Sequence, residues 1–411
     1  MRILFLTDNF PPEVNAPATR TYEHCKEWVK NGAEVTVITC VPNFPFGKTY
    51  DNYKNKLYQT ETIDSIKVIR VWSFMAPNKG FLLRTLDFIS FSVMSFLSGI
   101  FVRTDIIMAT SPQFFTALSG RALSAFKRKP FVLEIRDLWP EQILASTNMK
   151  RNLFIKYFEW EELKCYKRAD LIVTVTESFV DKIADRGISK EKIVVVKNGV
   201  DNSIFKPRKK EKDLLQKYTL HDKFVVGYIG THGMSQNIPF IIDCIHEFNK
   251  NHNALSLNTH FLFVGEGAEK DKIKNKAELL KIANITFVNQ ISKEDMPDYI
   301  SILDVSLVPL RKSELYLSVI PSKIFELSAM NIPILLGVDG EARAMIEKYG
   351  CGVFYKPEDK RSFLSQLSNL ASNDQNQIGQ YREGCKNLAL DFNRQKLALE
   401  LLNNIGKLLK Q

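Results

Sequence analysis

The residues best suited to chemistry cluster in Pro309–Leu336, PLRKSELYLSVIPSKIFELSAMNIPILL. A short apolar run, Val305–Pro309, leads into a basic loop; Ile320-Pro321-Ser322 then opens a helix, and Ile334–Leu336 resumes as strand after Pro333. Ser322 is placed to cap that helix, since a serine hydroxyl at an N-cap accepts from the free N–H groups of the first turn. Asn331, which tolerates a left-handed backbone, ends it. Strand, loop and helix start form the unit that holds anions in α/β proteins, because unpaired N–H groups and the positive helix end face the loop. Arg311 and Lys323 add cations at that end, and Glu326, one turn past the cap, adds a carboxylate. Cations for a phosphate beside a carboxylate for sugar hydroxyls point to a nucleotide-sugar site. The plainer reading of the same residues is a glutamate favoured by the helix dipole and an ordinary surface lysine.

Three further turns follow predicted strands. Phe131–Ile135 delivers Arg136-Asp137-Leu138-Trp139-Pro140-Glu141 at its C-terminal end, where ligands bind in open α/β sheets. A site role competes there with a structural ion pair beside a packed tryptophan. Phe224–Ile229 delivers the glycine-bearing turn Gly230-Thr231-His232-Gly233. Ile3–Thr7 delivers the loop Asp8–Arg20, DNFPPEVNAPATR, whose prolines and small residues suit a rigid binding loop. That loop lacks G-x-G-x-x-G, so it carries no dinucleotide fingerprint.

The elements that must position these turns alternate strand and helix twice. The first series has strands Ile3–Thr7, Glu34–Thr39, Lys67–Trp72, Asp105–Ala109, Phe131–Ile135, Leu171–Val175 and Ile193–Val196, with helices such as Thr21–Asn31 and Arg151–Arg168 between. The second has strands Phe224–Ile229, Phe261–Val264, Ile285–Val288, Val305–Pro309 and Ile334–Leu336. Two such series predict an α/β chain of two doubly wound, Rossmann-like domains facing a cleft. We expect an N-terminal domain over 1–205, a second over 206–390 and a C-terminal helix over 391–411 that packs back on the first. The charged run Lys206–Lys217 is the linker.

Composition narrows the field. At 411 residues, 45% hydrophobic and 25% charged, the chain is an ordinary globular sequence long enough for two cores. A net charge of +10 is spread along it and permits anionic partners. No nucleic-acid motif or dense basic tract accompanies it, so nucleic acid is not an expected partner. Cys25, Cys40, Cys165, Cys244, Cys351 and Cys385 are scattered without C-x-x-C spacing and read as reduced core residues. The start, MRILFLTDNF, reads as a first strand, not a signal peptide.

Gly80–Val102 contains an uninterrupted neutral run, Phe88–Val102, of 15 residues. That is short of the ~20 residues needed to span a bilayer. A largely buried helix is the first reading. The second is a helix whose outer face lies in a membrane interface, with Arg70, Lys79, Arg84 and Arg103 favouring anionic lipid.

FPPEVNAPATR, EIRDLWPE, VVVKNGVDNSIFKP, YIGTHG and PSKIFELSAMNIPI together resemble the family-4 glycosyltransferases of bacterial surface-polysaccharide assembly. Within that family the chain is most similar to the subgroup that transfers N-acetyl-amino-deoxy sugars such as N-acetylfucosamine. The resemblance implies a GT-B fold and retention of anomeric configuration. It implies a UDP-sugar donor on the C-terminal domain and a lipid-linked saccharide acceptor, in O-antigen or capsule assembly, on the N-terminal domain. Carried over residue by residue, Gly230, Thr231, His232, Gly233, Arg311, Ser322, Lys323 and Glu326 face the donor, and Asn15, Ala16 and Arg20 face the acceptor. Asp137, Arg136 and Lys323 serve the chemistry. The sequence departs from the family pattern in three places. The first glutamate of E-x7-E falls at Ser318, with Glu314 out of register; the arginine and lysine usual after the first C-domain strand are replaced by GTHG; and the usual His-Asp reads Arg136-Asp137. The chain contains no D-x-D, so no metal is expected. The expected place of work is the cytoplasmic face of the inner membrane, as a peripheral protein. A nucleotide-sugar 2-epimerase of the same fold and a non-catalytic nucleotide-sugar binder are the competing functions.

Overall fold

A computed structural model describes residues 1–13, 15–44, 47–75, 81–111, 113–140, 151–250, 254–372 and 374–410, with the backbone alone at 81 and 82. Glu141 and Lys79, both named above, lie outside the described residues. The chain forms two compact units: residues Met1–Lys197 with Arg394–Gln411, and residues Asn198–Asn393.

The first unit runs β1 (Arg2–Leu6), α1 (Ala16–Lys30), β2 (Glu34–Cys40), β3 (Tyr58–Ile63), β4 (Ile66–Val71), α2 (Phe81–Ile100), β5 (Ile106–Ser111) and α3 (Phe114–Lys127). It continues with β6 (Phe131–Ile135), α4 (Leu153–Arg168), β7 (Leu171–Thr174), α5 (Glu177–Ala184) and β8 (Ile193–Val195). The strands form one sheet in the order β3-β4-β2-β1-β5-β6-β7-β8. All neighbours are parallel except β3, which pairs antiparallel with β4. Central strands such as β5 and β6 are buried along their whole length, as expected where helices cover both faces.

The second unit runs α6 (Lys212–Lys217), β9 (Phe224–Ile229), α7 (Ile238–Lys250), α8 (Ala254–Asn258), β10 (Thr259–Val264), α9 (Lys270–Leu279), β11 (Ile285–Val288), α10 (Met296–Ser301) and β12 (Val305–Pro309). It continues with α11 (Lys323–Ala329), β13 (Ile334–Gly337), α12 (Glu341–Tyr349), β14 (Gly352–Phe354), α13 (Lys360–Ala371) and α14 (Gln375–Asp391). Its all-parallel sheet has the order β11-β10-β9-β12-β13-β14, so the winding reverses between β9 and β12. The last helix, α15 (Arg394–Lys407), returns to the first unit. There Trp28 Nε1 donates to the Ala398 carbonyl at 2.8 Å, and Arg394 pairs with Glu23. The chain thus divides at Lys197–Asn198 and Asn393–Arg394, not at 205 and 390. Asn198–Phe205 and the run up to Asn393 belong with the second unit, tied by Val200 N–H to the Phe392 carbonyl.

Local chemistry explains where elements begin. Helix α1 starts at Ala16, ahead of the expected Thr21. Asn15 caps it by accepting from the Ala18 N–H at 2.9 Å, and Pro17 occupies the first turn, where its missing N–H is no loss. The six cysteines are buried thiols.

Helix α2 departs from the expectation of a largely buried helix. Phe91, Ser95 and Ser98 face inward, and Ser95 Oγ meets Ser119 Oγ at 2.8 Å. Leu83, Leu86, Ile89, Val93, Leu97 and Phe101 are exposed, Phe101 by 88%. By length and composition the window Leu83–Ile100 could cross a membrane, but one face of the helix is packed into the unit against α3.

Candidate active site

In the second unit the turn after β9, the strand that borders the reversal of the sheet winding, presses against the turn after β10. Gly230 has φ +146°, and its N–H donates to the Val264 carbonyl at 2.9 Å. A Cβ on Gly265 would lie 2.0 Å from the Gly230 carbonyl oxygen, so only glycine permits this approach. Lys323, the first residue of α11, reaches into the turn. Its Nζ donates to the Ile229 carbonyl at 3.1 Å and sits 4.0 Å from the Tyr228 ring centroid. A cation over a tyrosine face is attracted by the ring quadrupole. Burial pulls the Lys323 pKa down to about 8, and Glu326 works against that shift. A lysine held near neutrality by burial is a recurrent mark of a functional site.

His232 lies in the same turn. Its backbone N–H donates to the Glu266 carbonyl at 2.8 Å, and its ring packs beside Tyr228 and Phe263. Neither ring nitrogen has a partner among the described residues. Burial, with Lys270 adding to it, lowers the His232 pKa to about 4, so the imidazole is neutral and keeps one donor and one acceptor. The Tyr228 hydroxyl donates to the Thr231 carbonyl at 2.6 Å, and the Gly233 N–H donates to Gln236 Oε1 at 3.2 Å.

One expectation on this side is corrected. Ser322 does not cap: its backbone is already helical, with φ −58° and ψ −30°, and its hydroxyl accepts no first-turn N–H. The helix behind it has only seven residues, so the charge at this end is the lysine's own rather than a helix dipole. Arg311 donates its backbone N–H to the Ser235 carbonyl at 2.8 Å and lines a cavity of about 340 Å³ with Lys312, Glu314, Tyr316, Asp339 and Lys356. Lys323 is not in that lining. Ser318 is buried with its hydroxyl 3.4 Å from the Leu315 carbonyl, and Glu314 faces the Arg311 cavity. Glu326 stands half-buried in the first turn of α11.

In the first unit, β6 carries a buried Glu134. Arg20 donates to its Oε1 at 3.0 Å and Thr110 to its Oε2 at 2.8 Å. Burial alone would raise the Glu134 pKa; Arg20 and Arg136 outweigh it and hold the carboxyl below its usual range. Arg20 also donates to the carbonyls of Val196 at 2.8 Å and Lys197 at 3.1 Å. Its guanidinium ties α1, β6 and the chain after β8 together, which places it in the structure and not at an acceptor. Asn15 is similarly engaged, capping α1 and donating to Asn9 Oδ1 at 2.8 Å, while Ala16 is exposed beside it.

Arg136 follows the end of β6. Its Nε and Nη1 are buried and have no acceptor among the described residues. Burial lowers its pKa to about 10, against the pull of Glu134 and Asp137. Burial likewise raises the Asp137 pKa to about 6, while Arg136 holds it back. The other half of this motif is packing: Trp139 stacks on Phe114 at 4.7 Å and meets Phe158 edge-on at 5.1 Å. Sequence reasoning missed Tyr228 and Glu134. Glu134 left a signal, a lone charge inside an apolar strand that demanded a buried partner. Tyr228 left none, since a tyrosine in a strand reads as core.

Among the described residues no three His, Cys, Asp or Glu side chains gather as a metal site. The family model described as Glycosyltransferase Family 4 matches residues 17–203, and that described as Glycosyl transferases group 1 matches residues 209–387. The putative colanic acid biosynthesis glycosyl transferase WcaI of Escherichia coli is 24% identical over 379 residues, 89% of this chain and 91% of its own. The putative teichuronic acid biosynthesis glycosyltransferase TuaH of Bacillus subtilis is 24% identical over 262 residues, 63% of this chain, and the match spans only 62% of that relative's length. Among solved structures, Anabaena HepE in complex with UDP-glucose superposes with a TM-score of 0.71 at 14% identity, covering 99% of this chain and all of the other. At that identity the likeness shows the fold: two Rossmann-like α/β domains of the GT-B class.

Proposed function

The chain belongs to glycosyltransferase family 4, and on that footing we propose that it transfers a sugar from a UDP-sugar to a lipid-linked saccharide in surface-polysaccharide assembly. The sugar we favour is an N-acetyl-amino-deoxy sugar such as N-acetylfucosamine, moved with retention. The observation that carries the reading is Lys323: an ammonium held over Tyr228 at the Gly230 turn, with its pKa drawn to about 8. A donor diphosphate gives that ammonium an anionic partner. As the anomeric C–O bond breaks, negative charge grows on the departing diphosphate, and a fixed cation there favours the transition state over the ground state. The acceptor oxygen bonds to the anomeric carbon on the face the diphosphate leaves, and its proton passes to a phosphate oxygen of the leaving group. Lys323 neutralises that group without a metal. His232 offers a neutral imidazole to the nucleotide sugar, Glu326 a carboxylate to the ribose, and Asp137 orients the acceptor.

The first unit also supports a place of work, as a peripheral protein on the cytoplasmic membrane surface. Besides the apolar outer face of α2, Phe126 of α3, whose ring meets Phe96 of α2 edge-on at 6.1 Å, and Leu153, Phe154, Tyr157 and Trp160 of α4 are exposed. Lys164 Nζ lies 3.0 Å from the Trp160 ring centroid, and Arg84 in the first turn of α2 and Arg103 just beyond its end are exposed. Exposed apolar rings beside cations suit an anionic headgroup layer. Arg70 does not belong to this set: it is buried, donating to Glu61 and to the Cys40 carbonyl.

The test is a mass-spectrometric screen of UDP-sugars against polyprenyl-diphosphate saccharides. A glycosylated acceptor, with the donor left unchanged when acceptor is omitted, supports transfer. Conversion of the donor alone would instead make the protein an epimerase.

A further inference from the structure

Around the end of β6 three guanidinium groups and their carboxylates gather, and the hydrogen bonds do not balance. Glu134 has given one oxygen to Arg20 and the other to Thr110. Arg20 also donates to the Val196 and Lys197 carbonyls. Arg394 is paired with Glu23. Arg136 feels Glu134 and Asp137 as attractive charges and Arg20 and Arg394 as repulsive ones, yet its buried Nε and Nη1 reach no acceptor among the described residues. A buried donor without a partner is unfavourable, and more so when charged. Arginine cannot escape by losing its proton at neutral pH. Where the resemblance carries a histidine, this chain has placed a permanent cation that only donates. A histidine can serve a hydroxyl; an unsatisfied guanidinium calls for a group that only accepts.

We propose that Arg136 binds an oxyanion of the acceptor, a sugar carboxylate or the diphosphate of the lipid carrier, and thereby selects acidic over neutral acceptors. The proposal rests on the glycosyl-transfer reading and adds the chemistry of its acceptor. The position agrees with it, because Arg136 sits just past the C-terminal end of a central parallel strand, where open α/β sheets bind ligands. Asp137, next in the chain, meets the acceptor hydroxyl while its neighbour holds the anion.

The test varies the ligand first, on the unmodified protein. Three acceptors are compared: a polyprenyl-diphosphate disaccharide ending in glucuronic acid, the same lipid ending in glucose, and an alkyl glucuronide disaccharide without diphosphate. Removing the recognised anion should raise acceptor KM tenfold or more. Loss on going to glucose identifies the carboxylate; loss on removing the diphosphate identifies the carrier. Arg136→Gln should bring the preferred acceptor to the KM of its anion-free counterpart, with Arg136→Lys recovering part of the difference and UDP affinity by calorimetry unchanged. Equal KM for all three acceptors on the unmodified protein overturns the proposal while leaving glycosyl transfer standing. So does a fall in UDP affinity in Arg136→Gln with acceptor KM unmoved, since the anion is then the donor's. Transfer to none of the three, with the donor consumed alone, removes both the proposal and the reading beneath it.

Discussion

The two units share one architecture and use it in opposite ways. Each has a buried parallel sheet with a cation at the C-terminal end of a central strand. In the second unit the cation is Lys323, parked on a carbonyl and a tyrosine face and tuned to about 8. In the first it is Arg136, whose charge persists, set into a cluster that also holds the fold together. Their outer helices contrast as well. Helix α7 of the second unit turns Ile238, Ile241, Ile242, Ile245 and Phe248 inward, while α2 of the first buries Phe91 with two serines and exposes leucines. The second unit keeps its charge adjustable and turns the apolar face of α7 inward. The first fixes its charge and leaves an apolar face uncovered. A site for a phosphorylated ligand needs only the former; the latter fits a partner with an anionic head and an apolar body.

The largest expected effect would break this contrast if absent. Arg20→Met strands a buried Glu134, and breaking a buried pair costs about 3–5 kcal/mol. Denaturant unfolding should show that loss, with the double variant Arg20→Met/Glu134→Gln recovering part of it. The pair also sets an acid limb of stability. The Glu134 pKa is depressed in the folded state, so its contribution is present above the unfolded glutamate value near ~4.3 and is lost as pH falls through the lower folded value. A variant as stable as the parent would show that Arg20 is free to serve an acceptor after all.

Lys323→Gln should behave in the contrary manner. One charge-assisted hydrogen bond is worth about 1.5–3 kcal/mol, so kcat/KM should fall about 10- to 100-fold with UDP affinity weakened. Stability should be kept or gained, since a buried charge has been removed. The same logic fixes the pH profile. Asp137 must lose its proton through about 6 and Lys323 must keep its proton up to about 8, so kcat/KM should be bell-shaped between those values. Asp137→Asn should remove the acid limb and leave the alkaline one. In the ligand-free protein the depressed Lys323 pKa makes folding more favourable as pH rises from about 8 toward the ordinary lysine value near ~10.4, while UDP affinity declines over the same range. A profile that stays flat from 6 to 9 would take both groups out of the chemistry.

What could be read from the sequence follows physical scale. Long buried strands announce themselves, so β5, β6, β9 and β12 sit where their apolar runs are. Strand β3, YQTETI, was not legible: it is an edge strand with alternate residues exposed, and only its pairing with β4 makes it a strand. Lys323 was legible as a charge at a strand–loop–helix turn, although the cap that first drew attention to it, Ser322, is not a cap. The cavity that Arg311 lines was not legible, because a loop sequence does not reveal which way its side chains turn. The engagement of Arg20 was not legible because its partner, Glu134, is 114 residues away: a lone charge in an apolar strand asks for a partner without saying which.

The smallest effect concerns the outer faces, and it sharpens the contrast between α2 and α7. Phe91 cannot report on a membrane, being fully buried; its truncation to alanine belongs with core losses of about 3–5 kcal/mol. Leu86, Val93, Leu97 and Phe101 can, because each is exposed and none is needed to close the core. A fully immersed leucine or phenylalanine contributes about 1.5–3 kcal/mol, and rim positions contribute less. The double change Leu86→Gln/Leu97→Gln should therefore lower partition onto vesicles containing anionic lipid by roughly 5- to 20-fold, with thermal unfolding unchanged. Salt should weaken the binding that remains, since Arg84 and Arg103 act through screened charges. Transfer to a water-soluble acceptor should continue at the parent rate, while transfer to a vesicle-embedded acceptor falls in step with partition. If the folded double variant binds vesicles as well as the parent, the membrane contact lies elsewhere on the molecule. If it unfolds, the leucines are core and α2 is an ordinary helix like α7.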